Sequence, residues 1–361
     1  VLPGMTVVIS PLISLMKDQV DRLERLGIAA TFLNSTLDAR TVASRMERAL
    51  RGELALLYVA PERFEAADLG RCLARCKLSL LAVDEAHCIS EWGHDFRPEY
   101  LQIRALLALA PNARVLACTA TATPIVRDEI VSRLGLPADT PQIVRGFARP
   151  NLALAATEVA RKKDRDHHVD ELLSRALGGP RRSQGTAIVY GPTRKMVEEE
   201  AERLSLGGWR VRAYHAGIEG KRRAEVQRQF SAGELEIVVA TNAFGMGIDR
   251  ADVRAVVHLG PPASIEAYYQ EVGRAGRDGE PAFGLMLHSS KDLPLRRRLI
   301  EMPIEEREPD PAVVEHKWTQ FLELMRWAEG GSCRHDAILR HFDDDAESLG
   351  GCGLCDVCQS L

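Results

Sequence analysis

No apolar run in this 361-residue chain approaches the roughly twenty residues that a membrane-spanning helix needs, which excludes a helical membrane protein over these residues. The N-terminal VLPGMTVVIS has neither the basic flank nor the small-residue cleavage site of a secretory signal. Positive charge is not in excess either: the formal net charge is -4, so no basic field covers the whole molecule and any polyanion site must be local. Lysine is scarce. Of the 47 basic residues 39 are arginine, so phosphate contacts would come mainly from guanidinium forks. A phosphate-binding G-x-x-x-x-G-K-S/T string is also missing; the nearest approach, Gly220-Lys221, is followed by Arg222.

What the chain does contain is an alternation of short aliphatic runs with amphipathic, charged stretches. TVVIS, LALLYVAP, LSLLAVDE and RVLACT come first, then GTAIVY, RVRAYH, LEIVVAT and AVVHLG. This is the pattern of parallel sheets with crossover helices. After TVVIS, apolar residues at Leu12, Leu15, Met16, Val20, Leu23 and Leu26 keep helical spacing up to Gly27. A polar segment, Glu158 to His168, and the loop GGPRRSQG interrupt the alternation, placing a domain boundary near Pro150. Beyond FGLMLHSS the chain turns charged and helical. The expected layout is a first α/β domain over 1–150, a second over 151–290 and a small helical module over 291–361.

Chemistry concentrates in a few strings. DEAHCISEWGHDFRPEY, Asp84 to Tyr100, follows the largely apolar run Leu78–Val83 and holds two histidines, five carboxylates, one arginine and three aromatics. Open α/β sheets bind ligands at strand C-terminal ends. An Asp–Glu pair there suits a metal-bound nucleotide, with Asp84 on Mg2+ and Glu85 on the attacking water; it can equally be a pair of helix N-terminal carboxylates. His87, His94, Asp84 and Asp95 are a superficial zinc set. Trp92 and Phe96 offer faces for base stacking or for a core, and Arg97 can pair a phosphate. YYQEVGRAGRDG places Gln270, Arg274 and Arg277 at a helix end, as arginines suited to a γ-phosphate or as solvated surface. The spacing Cys333-x18-Cys352-x2-Cys355-x2-Cys358 fits a tetrahedral all-thiolate Zn2+ site, since no signal points to an oxidising compartment.

In this order and spacing, TVVISPLISLMKDQVDRL, LLYVAPERF, DEAHCISEWGHDFRPEY, TATAT, YHAGIEGKRRAEVQRQF, VVATNAFGMGIDRADVRAVVHLG and YYQEVGRAGRDG resemble the RecQ-type DNA helicases over nearly the whole chain. The resemblance implies two RecA-like parallel-sheet motor domains followed by a zinc-binding module. It implies ATP-driven 3′ to 5′ unwinding of DNA, single-stranded and partial duplex, with ATP and Mg2+ in an interdomain cleft. It further implies roles in repair or recombination and a cytoplasmic, nucleoid-associated place in a bacterium. On this resemblance Asp84, Glu85, His87, Gln270, Arg274 and Arg277 are catalytic, and Gly247 and Asp249 touch the nucleotide. Ser10, Arg63, Trp92, His94, Phe96, Arg97, Thr119, Thr121 and Thr241 contact DNA or couple it to the nucleotide. His335, in CRH, departs from a position that is often basic in the family. The missing phosphate loop implies that the first motor domain lacks its N-terminal part and that the chain as given hydrolyses ATP poorly. The rival readings are a non-catalytic DNA-binding or adaptor protein and an RNA helicase.

Overall fold

The computed structural model describes residues 3–64, 67–93, 95–245, 250–303 and 309–360, and divides into two compact units, 1–142 and 143–361. The first unit is built on β1 (Met5–Ile9), β2 (Ala30–Leu33), β3 (Leu56–Val59), β4 (Leu78–Val83) and β5 (Arg114–Ala117), all parallel, in the order β2-β3-β1-β4-β5. Its helices are α1 (Ile13–Arg25), α2 (Ala39–Leu50), α3 (Ala67–Leu73), α4 (Ile103–Leu109) and α5 (Pro124–Leu134). Parallel strands need covering on both faces, and the apolar periodicity of α1 supplies part of that cover. Met16 and Val20 are buried, while Leu26, past the last turn, is exposed.

The second unit carries β6 (Leu152–Glu158), β7 (Thr186–Tyr190), β8 (Val211–Tyr214), β9 (Ile237–Ala240), β10 (Val253–His258) and β11 (Ala282–His288), again parallel, in the order β6-β11-β10-β7-β9-β8. Every residue of β7, β9 and β10 is buried, as expected of central strands sandwiched between helices. The helices are α6 (Lys162–Leu177), α7 (Arg194–Leu206), α8 (Gly220–Ser231), α9 (Ile265–Val272), α10 (Asp292–Glu301), α11 (Pro311–Glu329), α12 (Arg334–His341) and α13 (Asp356–Ser360). The polar segment read as an interruption becomes the first turns of α6, whose Val169, Leu173 and Leu177 are buried.

The break between units falls at Gln142/Ile143 rather than at 150, because residues 144–149 pack on the second unit. Phe147 stacks on Phe342 (ring centroids 4.4 Å apart), and its carbonyl accepts from the Tyr269 hydroxyl at 2.9 Å. The Cys-rich tail packs on the second unit: Ile338, Leu339, Phe342 and Cys355 share one core with Tyr268, Tyr269 and Trp327.

Candidate functional site

In the first unit the ends of β1, β4 and β5 gather most of the expected polar residues. The Asp84 amide donates to the Ile9 carbonyl at 2.8 Å, which sets its side chain beside Ser10. Ser10 Oγ donates to Asp84 Oδ2 at 3.0 Å, and the Glu85 amide donates to Oδ1 at the same distance. From the far side the Tyr100 hydroxyl donates to the Asp84 carbonyl at 3.0 Å. Glu85 itself sits at φ 47°, ψ 47°, a left-handed conformation that costs a non-glycine residue about 1–2 kcal/mol. Its carboxylate is 3.4 Å from His87 Nδ1, which also meets Thr119 Oγ1 at 2.7 Å. Thr119 Oγ1 in turn accepts from the Thr121 amide at 3.2 Å.

Ser10, Asp84, Glu85, His87, Thr119 and Thr121 therefore form one polar chain across three strand ends. Ser10 is brought to the acidic pair itself. It is 2% exposed with its hydroxyl directed to Asp84, a setting in which it can couple to the acidic pair. Arg63 lies half-buried on the turn Pro61–Arg63 after β3.

The segment after DEAH leaves the sheet as a short turn, Ala86–Ile89. Trp92 is 43% exposed, which excludes the core reading for its ring, and Phe96 is half-buried. Arg97 is paired with Asp95 (3.2 Å), and its amide caps the Cys88 carbonyl at 2.8 Å. Ser90 donates to Glu129 on α5, and Arg133 bridges Glu129 and Glu91, so two residues of α5 hold the loop's base. His94 lies outside the described residues. The histidine–carboxylate zinc set does not assemble among the described members, since Asp84 faces Ser10 and His87 faces Thr119. His87, Cys88 and Asp95 do approach within 4.8 Å, but burial pushes the Cys88 thiol far up and Asp95 is committed to Arg97.

In the second unit α9 ends at Val272, so Arg274 and Arg277 lie on the turn beyond it rather than on successive helical turns. Gln270, half-buried, is in the last helical turn. The two arginines have opposite settings. Arg274 is buried, with its guanidinium beside the Tyr190 hydroxyl, which donates to the Phe244 carbonyl at 2.8 Å. A Cβ on Gly245 would stand 3.0 Å from an Arg274 Nη, so glycine is what lets the guanidinium lie against that turn. Arg277 is exposed. Thr241, half-buried, begins the same turn as Phe244, and Gly247 and Asp249 lie outside the described residues.

In the tail the sulfurs of Cys333, Cys352, Cys355 and Cys358 lie within 4.8 Å of one another. Backbone amides point at them: Cys352 N to Cys333 Sγ at 3.3 Å, Cys355 N to Cys352 Sγ at 3.2 Å and Cys358 N to Cys355 Sγ at 3.4 Å. Burial pushes the thiols of Cys333 and Cys352 up, the latter to about 12, whereas the Gly353 amide pulls Cys358 down. Four thiolates this close need a divalent cation, and an all-sulfur tetrahedral site suits Zn2+.

The tail is fastened to β6. Arg334 forks onto Asp356 (2.9 and 3.0 Å), whose carboxylate also accepts the Ala156 amide at 3.0 Å. His335, the departure noted in the sequence, is 2% exposed and bonds to the Leu152 carbonyl at 2.8 Å. The docking role of Arg334, His335 and Asp356 carried no sequence signal, because Leu152 and Ala156 lie far away in the chain.

His341 on α12 pairs with Glu266 on α9 at 2.9 Å. Burial pushes the Glu266 carboxyl up, but His341, with help from the Ser264 hydroxyl and the Glu266 amide, more than offsets this and holds it at about 2. Its folded value is depressed, so the stability it contributes is complete above the ordinary carboxylate range and is lost as pH falls from about 4.5 towards 2. In urea titrations between pH 6 and 3, wild type is expected to lose more stability than Glu266→Gln; parallel curves would show that the pair contributes none of it.

A sheet bearing DEAH at its strand ends, a second parallel sheet and a four-cysteine module define a RecA-like helicase architecture with a zinc-binding tail. Family models agree in the same order: DEAD/DEAH box helicase over residues 2–129, helicase conserved C-terminal domain over 167–279 and RecQ zinc-binding over 290–359. The chain is 40% identical over 357 residues to the ATP-dependent DNA helicase RecQ of Pasteurella multocida, covering 98% of this chain and 54% of that protein. It is 38% identical to the RecQ helicase of Bacillus subtilis, covering 98% of this chain and 57% of that protein. The chain belongs to the RecQ family of DNA helicases. It spans about half the length of these curated relatives. In fold it resembles Saccharomyces cerevisiae Dbp5 bound to RNA and ADP BeF3, with a TM-score of 0.60 at 14% identity, covering 95% of this chain and 76% of that one. Among the described residues no helix is long and apolar enough to cross a membrane.

Proposed function

We propose that the protein is an ATP-dependent 3′ to 5′ DNA helicase that unwinds partial duplexes from a single-stranded tail. The observation that carries this reading is the polar chain from Ser10 through Asp84, Glu85 and His87 to Thr119. It places two carboxylates at the carboxyl ends of parallel strands and links them through a buried imidazole to the neighbouring strand. Asp84, oriented by Ser10, is the residue fitted to hold Mg2+, whose charge would offset that of the phosphate oxygens. Glu85 accepts the proton of the attacking water, and His87 reports its state to Thr119 and Thr121. Gln270 contacts the nucleotide, as do Gly247 and Asp249. Exposed Arg277 meets the γ-phosphate, while buried Arg274 ties the arginine turn to the Thr241–Gly245 turn. DNA lies against Trp92, His94 and Phe96, with Arg97, Arg63 and Thr241 on its phosphates.

Residues 1–361 carry no G-x-x-x-x-G-K-S/T string, and by themselves should hydrolyse ATP poorly. The test is DNA-stimulated ATP hydrolysis by this chain, by a version extended upstream through its reading frame and by Glu85→Gln. Activity confined to the extended form and lost in Glu85→Gln is expected. No DNA-stimulated hydrolysis in either form would overturn the reading. Glu85-dependent hydrolysis by the short chain would move phosphate binding to other residues.

Trp92→Ala is expected to weaken binding of fluorescein-labelled oligothymidylate by about 5- to 100-fold, the equivalent of roughly 1–3 kcal/mol for one stacked base. Anisotropy titration checks this, and an unchanged affinity would remove Trp92 from the interface.

A further inference from the structure

The turn that carries Arg277 is held by two side chains from the segment entering β6. Arg149 Nη1 donates to the Gly273 carbonyl at 2.8 Å, and its Nη2 donates to the carbonyls of Ala275 at 2.5 Å and Gly276 at 3.1 Å. Asn151 Nδ2 donates to the carbonyls of Gly276 and Glu280, each at 2.8 Å. Carbonyls past a helix end have no intrahelical donor, and a guanidinium there is also favoured by the helix dipole. Capping alone does not explain the pattern. The bonds reach beyond α9 and meet at Gly276, whose carbonyl takes both donors and whose peptide leads into Arg277. Gly276 has φ +62°, and a Cβ there would lie 2.5 Å from Asn151 Nδ2 and 3.0 Å from the Glu280 carbonyl. The next residue, Asp278, is itself bonded to Arg254. The backbone on both sides of Arg277 is therefore fixed while its side chain remains exposed.

We infer that Arg149 and Asn151 are positioning residues that set where the Arg277 guanidinium is delivered. A rigid backbone under an exposed long side chain limits its reach to one region, which is what a group aimed at developing charge requires. The inference rests on the reading of Arg277 as the γ-phosphate contact.

The test is a double-mutant cycle on ATP turnover in the full-length gene product, with Arg149→Ala, Arg149→Lys and Asn151→Ala each made alone and with Arg277→Ala. Arg149→Ala is expected to lower kcat about a hundredfold with little change in KM for ATP, the size of loss that a 1 Å misplacement produces. Arg149→Lys, which cannot fork across three carbonyls, should fall between Arg149→Ala and wild type. In the Arg277→Ala background each change should alter kcat less than about twofold. Hydrogen exchange should quicken at the amides of 273–280 in Arg149→Ala and stay unchanged in β9.

An unchanged kcat despite faster exchange, or full additivity with Arg277→Ala, would overturn the inference and leave a purely structural clamp. If Arg277→Ala alone leaves kcat unchanged, the reading of Arg277 fails, and the inference with it. Should Arg149→Ala not fold, Arg149→Lys and Asn151→Ala carry the same cycle.

Discussion

Cys355→Ser is expected to purify with almost no bound zinc, against about one ion per chain in wild type, and to melt well below it. Cys355 is fully buried, and its sulfur accepts amides from Arg334 at 3.5 Å and Cys358 at 3.4 Å, so a serine there loses both the soft ligand and the amide cradle. Structural zinc in small modules contributes roughly 10–16 kcal/mol of apparent binding energy to folding. Realising only about 4 kcal/mol of that in stability would lower the melting midpoint by about 8–16 °C in a unit of this size. The loss should also spread beyond the tail. Asp356, between two ligands, accepts the Ala156 amide, and Phe342 packs on Phe147 and Tyr269, so an unloaded tail weakens its docking to β6 and α9. Metal analysis together with thermal melting checks this. Cys118→Ser, at an exposed position in the first unit, is the control. Equal zinc in wild type and Cys355→Ser would mean that these four cysteines are not the ligand set.

Full burial does not by itself make a strand legible: β7, β9 and β10 stand out in the sequence, and the equally buried β2, ATFL, does not. β7, β9 and β10 carry the aliphatic runs AIV, IVVA and AVV because helices cover both faces of the sheet, and composition alone marks such segments. β6, LALAATE, is an edge strand whose burial fades along its length, and it passed without notice. The cysteine tail was legible because a tetrahedral thiolate site imposes local spacing. The Asp84–Glu85 pair was legible from its place after an apolar strand. Its partners were not: Ser10 lies 74 residues from Asp84, and Thr119 lies 32 from His87. They meet because β1 and β5 flank β4, and sheet order is set by the whole fold rather than by any local run. The end of α9 was misplaced for a similar reason. Arg149, which takes up the carbonyls beyond Val272, lies 124 residues from Gly273.

Glu85→Gln is expected to bind nucleotide and DNA as wild type does, but to lower DNA-stimulated ATP turnover by about 10² to 10⁴ in the full-length protein. The substitution keeps size and shape and removes the capacity to take a proton. It does not alter the backbone cost, since glutamine is no better suited than glutamate to φ 47°. That conformation is itself informative. Glycine would occupy it without strain, and local strain held in place by surrounding contacts collects at sites where a side chain must point in one direction. Here the Glu85 amide is bonded to Asp84, and the Ala86 amide is anchored to the Cys118 carbonyl at 2.9 Å, so the backbone on both sides is fixed. His87 then sits 3.4 Å from the carboxylate. Rapid-quench measurement of the hydrolysis step, beside equilibrium binding of a fluorescent ATP analogue, separates chemistry from affinity. Weakened binding with an unchanged chemical step would make Glu85 a structural anchor for the DEAH turn. Unchanged binding with a slowed step would leave proton transfer as the role for which its left-handed backbone is maintained.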